Sequence, residues 1–256
     1  MNEVKTIAHI YNDFPEKFGL PRQGICAGDL RGRIVFEEEY RDINALKGME
    51  EYDRIWILWI FDVYDESFRP MVRPPKLGGN EYRGVFATRS PHRPNPIAMT
   101  CARIVGIAEN ESDLERFGVT IGKGDPKFTS PEIIVSGIDM VSGTKLIDIK
   151  PYIPYADSFP DARGGFSLPE GERQLEVRYE EDVRESLLER LGEYRLGVLT
   201  KSLAEDPRPG YKTDENSENT RLYGMKYAGL DLHFRVENGI LFVVGFEEDS
   251  NGNNIF

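Results

Sequence analysis

Arg54-Ile55-Trp56-Ile57-Leu58-Trp59-Ile60-Phe61-Asp62-Val63 is the most apolar run in the chain. Its length and its β-branched and aromatic side chains favour a strand over a helix. The run shows no polar alternation, so it predicts a central strand buried on both faces. Asp62 falls at its end, where a carboxylate can meet solvent or ligand. Working outward, segments 4–10, 31–37, 97–107, 117–121, 132–138 and 145–149 also read as strands. Segment 12–23 is a loop with Pro15, Gly19 and Pro21, and 139–144 is a turn. Residues 40–52 carry Ile43, Leu46 and Met49 at helical spacing, with Gly48 as an end or turn. Strands joined by turns, with little helix and no β-α-β rhythm, imply an antiparallel barrel or sandwich and argue against a doubly wound sheet.

The character changes after residue 150. Segment 151–171 holds four prolines and marks a domain boundary. Val183, Leu187, Leu188 and Leu191 then share one helical face, with Gly192 as a stop, and Leu196, Leu199 and Leu203 continue in the same manner. Asp206-Pro207-Arg208-Pro209-Gly210-Tyr211 is a rigid polar loop. Segments 230–236 and 240–246 flank Asn238-Gly239, a strong hairpin signal. The chain is therefore expected to be mainly β. Residues 1–158 form the first domain and residues 172–256 a smaller C-terminal α+β domain.

Composition narrows the function. With 256 residues, 39% of them apolar, the chain can build a real core. No run of 18 apolar residues occurs, so no membrane span is expected. The first ten residues lack a secretory pattern, and Cys26 and Cys101 are too few for a disulfide framework, which together suggest a cytoplasmic protein. His9, His92 and His233 pair with no Cys or carboxylate at metal-ligand spacing, so no metal is expected. Phosphate-loop, dinucleotide and nucleophile-elbow motifs are absent.

The net charge of −12 argues against indiscriminate nucleic-acid binding. Against that background, residues 69–103 hold Arg69, Arg73, Lys76, Arg83, Arg89, Arg93 and Arg103 with Glu81 as their one acid. Pro91, Pro94 and Pro96 stiffen the backbone around His92, Arg93 and Asn95. Cations on a rigid loop lower the ordering cost of binding an anion.

At this strip the chain resembles the tRNA N6-threonylcarbamoyladenosine N6-methyltransferases, the TsaA-like family. The matching blocks are Arg73-Pro74-Pro75-Lys76-Leu77-Gly78-Gly79-Asn80 with residues 84–97, then Asp148-Ile149-Lys150-Pro151-Tyr152-Ile153-Pro154-Tyr155, Pro21-Arg22-Gln23, and residues 206–211. The resemblance implies an antiparallel β-barrel that uses S-adenosylmethionine, acts on the tRNA anticodon loop and forms a homodimer. It maps cofactor contacts to Pro21, Arg22, Gln23, Asp62, Val63, Arg89, Met99, Ser142, Gly143, Thr144 and Lys145. RNA contacts fall to Arg73, Lys76, Arg83, Arg93, Arg208 and Tyr211, with Tyr82 as a stacking surface. The chain departs from similar sequences at Asp62, where His is frequent, at Ser142, where Asp is usual, and at Ala98, where Gly is common. Moving a methyl group from a sulfonium needs alignment above all. His92, Asp62 and Asp206 are candidates for proton removal, and Arg93 and Asn95 for polarising a carbonyl. Two further readings stay open: a methyltransferase acting on another RNA or small acceptor, and a cofactor- or RNA-binding sensor without turnover.

Overall fold

The computed structural model describes residues 4–21, 23–24, 28–61, 67–74, 77, 81–167, 174–208 and 221–249. The apolar run forms β3 (Arg54–Ile60), one strand of a closed ring. The ring runs β1 (Ala8–Asn12), β2 (Arg31–Phe36), β7 (Glu132–Ser136), β6 (Ile97–Ala108), β3 and β8 (Thr144–Pro151), and β8 pairs back onto β1. Every neighbouring pair is antiparallel, as expected from strands joined by turns.

The expected burial of β3 on both faces is corrected. Ile55, Ile57 and Trp59 point into the ring and are buried, whereas Trp56, Leu58 and Ile60 are half-buried on its outer face. That face continues onto β6, where Met99 sits opposite Leu58 and Ile97 opposite Ile60. The run is apolar throughout because both faces are apolar, but only one packs inside the ring.

Three further expectations change. The first strand begins at Ala8 rather than residue 4. Segment 40–52 is a series of single 3-10 turns, including Ile43–Leu46 and Met49–Glu51, because apolar residues spaced by three suit a three-residue repeat as well as an α-helix. Segment 117–121 is not a strand. It follows α1 (Glu111–Arg116), whose N-terminus carries a capping box from Asn110 and Asp113. Phe117, Val119 and Ile121 then pack irregularly over Ala108, Leu114 and Ile134 on the outer wall of the barrel. Within the basic strip, β4 (Met71–Val72) and β5 (Arg83–Gly84) form a small hairpin. A single turn, α2 (Pro154–Asp157), follows the barrel.

The second domain is a four-stranded sheet with one long helix. Its order is β10 (Tyr223–Tyr227), β11 (Leu230–Glu237), β12 (Ile240–Glu248) and β9 (Glu176–Tyr179). The β11–β12 turn has Asn238 at φ 51° and Gly239 at φ 78°, the positive-φ pair that an Asn-Gly hairpin needs. The helix, α3 (Val183–Ala204), is kinked at Gly192 (φ 72°, ψ 167°) and buries Leu187, Leu191, Leu196, Leu199 and Leu203. The sequence reading did not foresee β9 and β10. Buried side chains of both domains, such as Ile10, Ile57, Leu199 and Phe234, belong to one continuous core.

Antiparallel order fixes which loops meet. Asn12 lies beside Gly32, Ile10 beside Thr144, Ile60 beside Ile97, and Arg31 beside Ser136. The ends of connections 13–30, 61–96 and 137–143 therefore meet at the same mouth of the barrel.

Candidate active site at the barrel mouth

Those three connections carry most of the residues assigned from the sequence. Pro21 is buried and Gln23 half-buried in the first, Arg89 is exposed in the second, and Ser142, Gly143 and Thr144 close the third. Arg22, Asp62, Val63, Lys76 and Tyr211 lie outside the described residues.

The third connection is built onto β1. Ser142 N donates to Phe14 O at 2.8 Å and Gly143 N to Ile10 O at 2.7 Å. Asn12 Nδ2 donates to Met140 O at 2.9 Å, and Thr144 Oγ1 to Val141 O at 2.7 Å. These bonds hold the turn rigid. They also take up the Ser142 and Gly143 amides, so this turn offers a ligand its carbonyls and side chains rather than those two donors.

Asp139 ties the mouth together, and the sequence reading passed over it as a turn acid. Its Oδ1 accepts from Thr100 Oγ1 at 2.5 Å, and Thr100 Oγ1 in turn accepts from Trp59 Nε1 at 3.0 Å. Its Oδ2 accepts from Gly24 N at 3.0 Å. One carboxylate thus joins β3 and β6 to the connection that carries Pro21 and Gln23. Gly24 lies so close to the Gly137 carbonyl that a Cβ there would collide with it. Burial pushes the Asp139 pKa up; the Thr100 and Gly24 bonds and the Arg89 charge oppose that shift. The signal in the sequence was an acid set between Ile138 and Met140, directly after a fully buried strand.

The other assigned residues lie apart from this network. Met99 is exposed on the outer face of β6, opposite to buried Thr100. Lys145 is exposed beside the turn, paired across to His9 of β1. Arg73 donates to Tyr82 OH at 2.6 Å and lies 4.5 Å from the centre of its ring. Arg83 pairs with Glu81 at 2.7 Å. Arg93 Nη1 donates to Val85 O and Thr88 O, so this cation helps shape the strip that holds it. His92 is half-buried, its carbonyl accepting from Arg69 N at 3.2 Å, and Asn95 is exposed. Asp206, at φ 52°, grips Arg208 through two bonds of 2.8 and 2.7 Å. Among the described residues no cluster of metal-ligating side chains occurs.

The closed six-stranded barrel followed by a smaller sheet-and-helix domain is the architecture of a TsaA-like protein. The chain belongs to the tRNA-methyltransferase O family: the model of the family's N-terminal domain matches residues 9–158 and that of its C-terminal domain residues 172–249. A Pseudomonas aeruginosa relative described as a putative S-adenosylmethionine-dependent methyltransferase is 35% identical, over 91% of this chain and 92% of its own. The Escherichia coli tRNA (adenine(37)-N6)-methyltransferase is 31% identical, over 96% of this chain and 95% of its own. A crystal structure of TrmO superposes with a TM-score of 0.72 at 30% identity, covering 96% of this chain and 99% of that one.

Proposed function

We propose that the protein is an S-adenosylmethionine-dependent tRNA methyltransferase acting on N6 of the adenosine beside the anticodon, in its threonylcarbamoyl form. The observation that carries this reading is the full-length match, through both domains, to a tRNA (adenine(37)-N6)-methyltransferase. The mouth fits the cofactor chemically. Arg89 is an exposed cation suited to a carboxylate, and Gln23 and the Ser142–Thr144 turn supply polar groups beside it. When bound, the cofactor supplies a methyl group activated on a sulfonium.

The chain's own residues then orient and neutralise. Asp139 fixes Gly24 and with it the segment bearing Pro21 and Gln23. Asn95, exposed on the strip, would donate to the acceptor's carbonyl. The acceptor nitrogen would have to give up one proton, which the His92 imidazole of the strip would take up. Arg73 stacked on Tyr82 presents a cation and an aromatic ring to phosphate and unpaired base.

A homodimer is part of the same reading. Ile97 and Met99 are exposed on the same outer face of β6, and a second copy covering this face would bring Met99 into a shared site. The compartment is the cytoplasm, where a free thiol such as Cys101 persists. The test is transfer of labelled methyl from S-adenosylmethionine to tRNA from cells with and without the threonylcarbamoyl modification, followed by nucleoside analysis. Label only on the modified adenosine is expected. Label on another nucleoside moves the reading to a different acceptor, and no label despite cofactor binding moves it to a sensor.

A further inference from the structure

The connection between β1 and β2 is held by two domains at once. On its barrel side, Gly24 N is bound by Asp139, and Leu30 O accepts from Gly137 N at 3.0 Å. On its other side, the second domain grips it along its length. Asp13 pairs with Arg195 at 2.7 Å, and Asp13 O accepts from Ala228 N at 2.8 Å. Phe14 packs on Tyr227 with ring centres 4.9 Å apart, and Phe18 stacks on Phe234 at 6.3 Å. Buried Ser202 Oγ donates to Gly19 O. Gly19 sits at φ 83°, and any Cβ there would run into Met225. Tyr194 OH closes the far end, donating to Asp29 O at 2.8 Å and accepting from Arg31 N at 2.9 Å. Pro21 and Gln23 therefore lie between a grip at Gly19 and a grip at Asp29, both supplied by α3.

We infer that the second domain is a positioning element for the cofactor, with Ser202 and Tyr194 setting the path of the segment that carries Pro21 and Gln23. The inference rests on the reading of that segment as cofactor-binding. Preorganisation of this kind acts on affinity: a ligand that must order its own loop binds more weakly by the fraction of time the loop is misplaced. Neither side chain touches the reacting atoms, so the effect falls on cofactor KM and Kd rather than on the chemical step.

The test uses the full chain as wild type, Ser202→Ala, Tyr194→Phe and the double variant. Val236→Ala, at the hairpin end of β11, serves as a variant destabilised within the same domain. S-adenosylmethionine binding is followed by calorimetry, steady-state transfer to tRNA gives KM and kcat, and amide exchange is read over residues 13–30 without cofactor. Each single variant should raise Kd and cofactor KM roughly three- to tenfold, and the double variant more, with kcat at saturating cofactor within about twofold. Exchange over 13–30 should quicken. Val236→Ala should lower the active fraction and leave Kd and KM unchanged, because lost stability alone does not move them. Wild-type Kd and exchange in the double variant would overturn the inference. Wild-type protein that binds no S-adenosylmethionine would instead overturn the functional reading, and unchanged exchange would still decide whether the grip exists.

Discussion

Glu132 and Asp139 stand at either end of the β7 stretch, and the protein treats the two carboxylates in opposite ways. Glu132 is fully buried under residues 109–131 and is saturated with donors: Arg33 Nε and Nη2, both at 2.8 Å, and Thr129 N at 2.9 Å. Asp139 accepts one hydroxyl and one amide, and the charge of Arg89 reaches it from the exposed rim. The wall of the barrel neutralises its charge in place, while the mouth keeps one polarised and a cation beside it. A paired buried ion holds a register. Among the described residues Asp139 forms no ion pair, and Arg89 reaches it only through its charge.

That contrast breaks most visibly at the wall. Glu132→Ala leaves Arg33 charged and buried without a partner, so urea unfolding should show a loss of about 3–5 kcal/mol. Cofactor affinity of the folded fraction should stay as in wild type. A loss below about 1 kcal/mol would mean the pair is not what holds the wall. At the mouth the expected result is reversed. Arg89→Ala removes a charge-assisted contact of about 1.5–3 kcal/mol, a roughly ten- to hundredfold rise in the cofactor Kd, with the melting temperature almost unmoved. Wild-type affinity in that variant would take Arg89 out of the site.

The smallest effect is the most discriminating. Burial raises the Asp139 pKa above its ordinary 3.8, so the folded protein holds this proton more tightly than the unfolded chain does. Its contribution to stability is therefore greatest at acid pH and falls as pH rises from the ordinary carboxylate value through the raised one. Asp139→Asn removes that decline. The gap between variant and wild type, measured by denaturant titration across the acid range, should change with pH, and methyl transfer should fall because Gly24 loses its charged acceptor. A gap that stays flat with pH would show that Asp139 is as well compensated as Glu132.

Much of the fold could be read from residue patterns, and the failures have physical causes. Asn238-Gly239 predicted its hairpin because the turn demands two positive φ values that few residue pairs tolerate. The run 54–63 was legible as a strand but not as a half-covered one, since Leu58 and Ile60 are as apolar as Ile55 and Ile57 and hydropathy does not say which face meets the ring. Tyr223, Met225 and Tyr227 alternate with Gly224 and Lys226 and could have announced β10, but the polar stretch before them masked the signal. At the candidate site, Arg89 and the 142–144 turn are assigned through the family resemblance. Asp139, Thr100, Trp59 and Gly24 did not, because their partnership exists only once β3, β6 and two loops converge.

Ring closure has a consequence in time. The seam joins β1 to β8, with Ile7 N donating to Leu146 O at 2.8 Å, and across the mouth Asn12 and Ser142 meet from 130 positions apart. A ribosome must release nearly the whole first domain before that seam can form. Pairings so distant cost loop entropy before any contact rewards them, which places such folds among the slower ones, in milliseconds to seconds. Until β8 arrives, β1 keeps an unsatisfied edge, and the nascent chain has to be kept from pairing that edge with a neighbour.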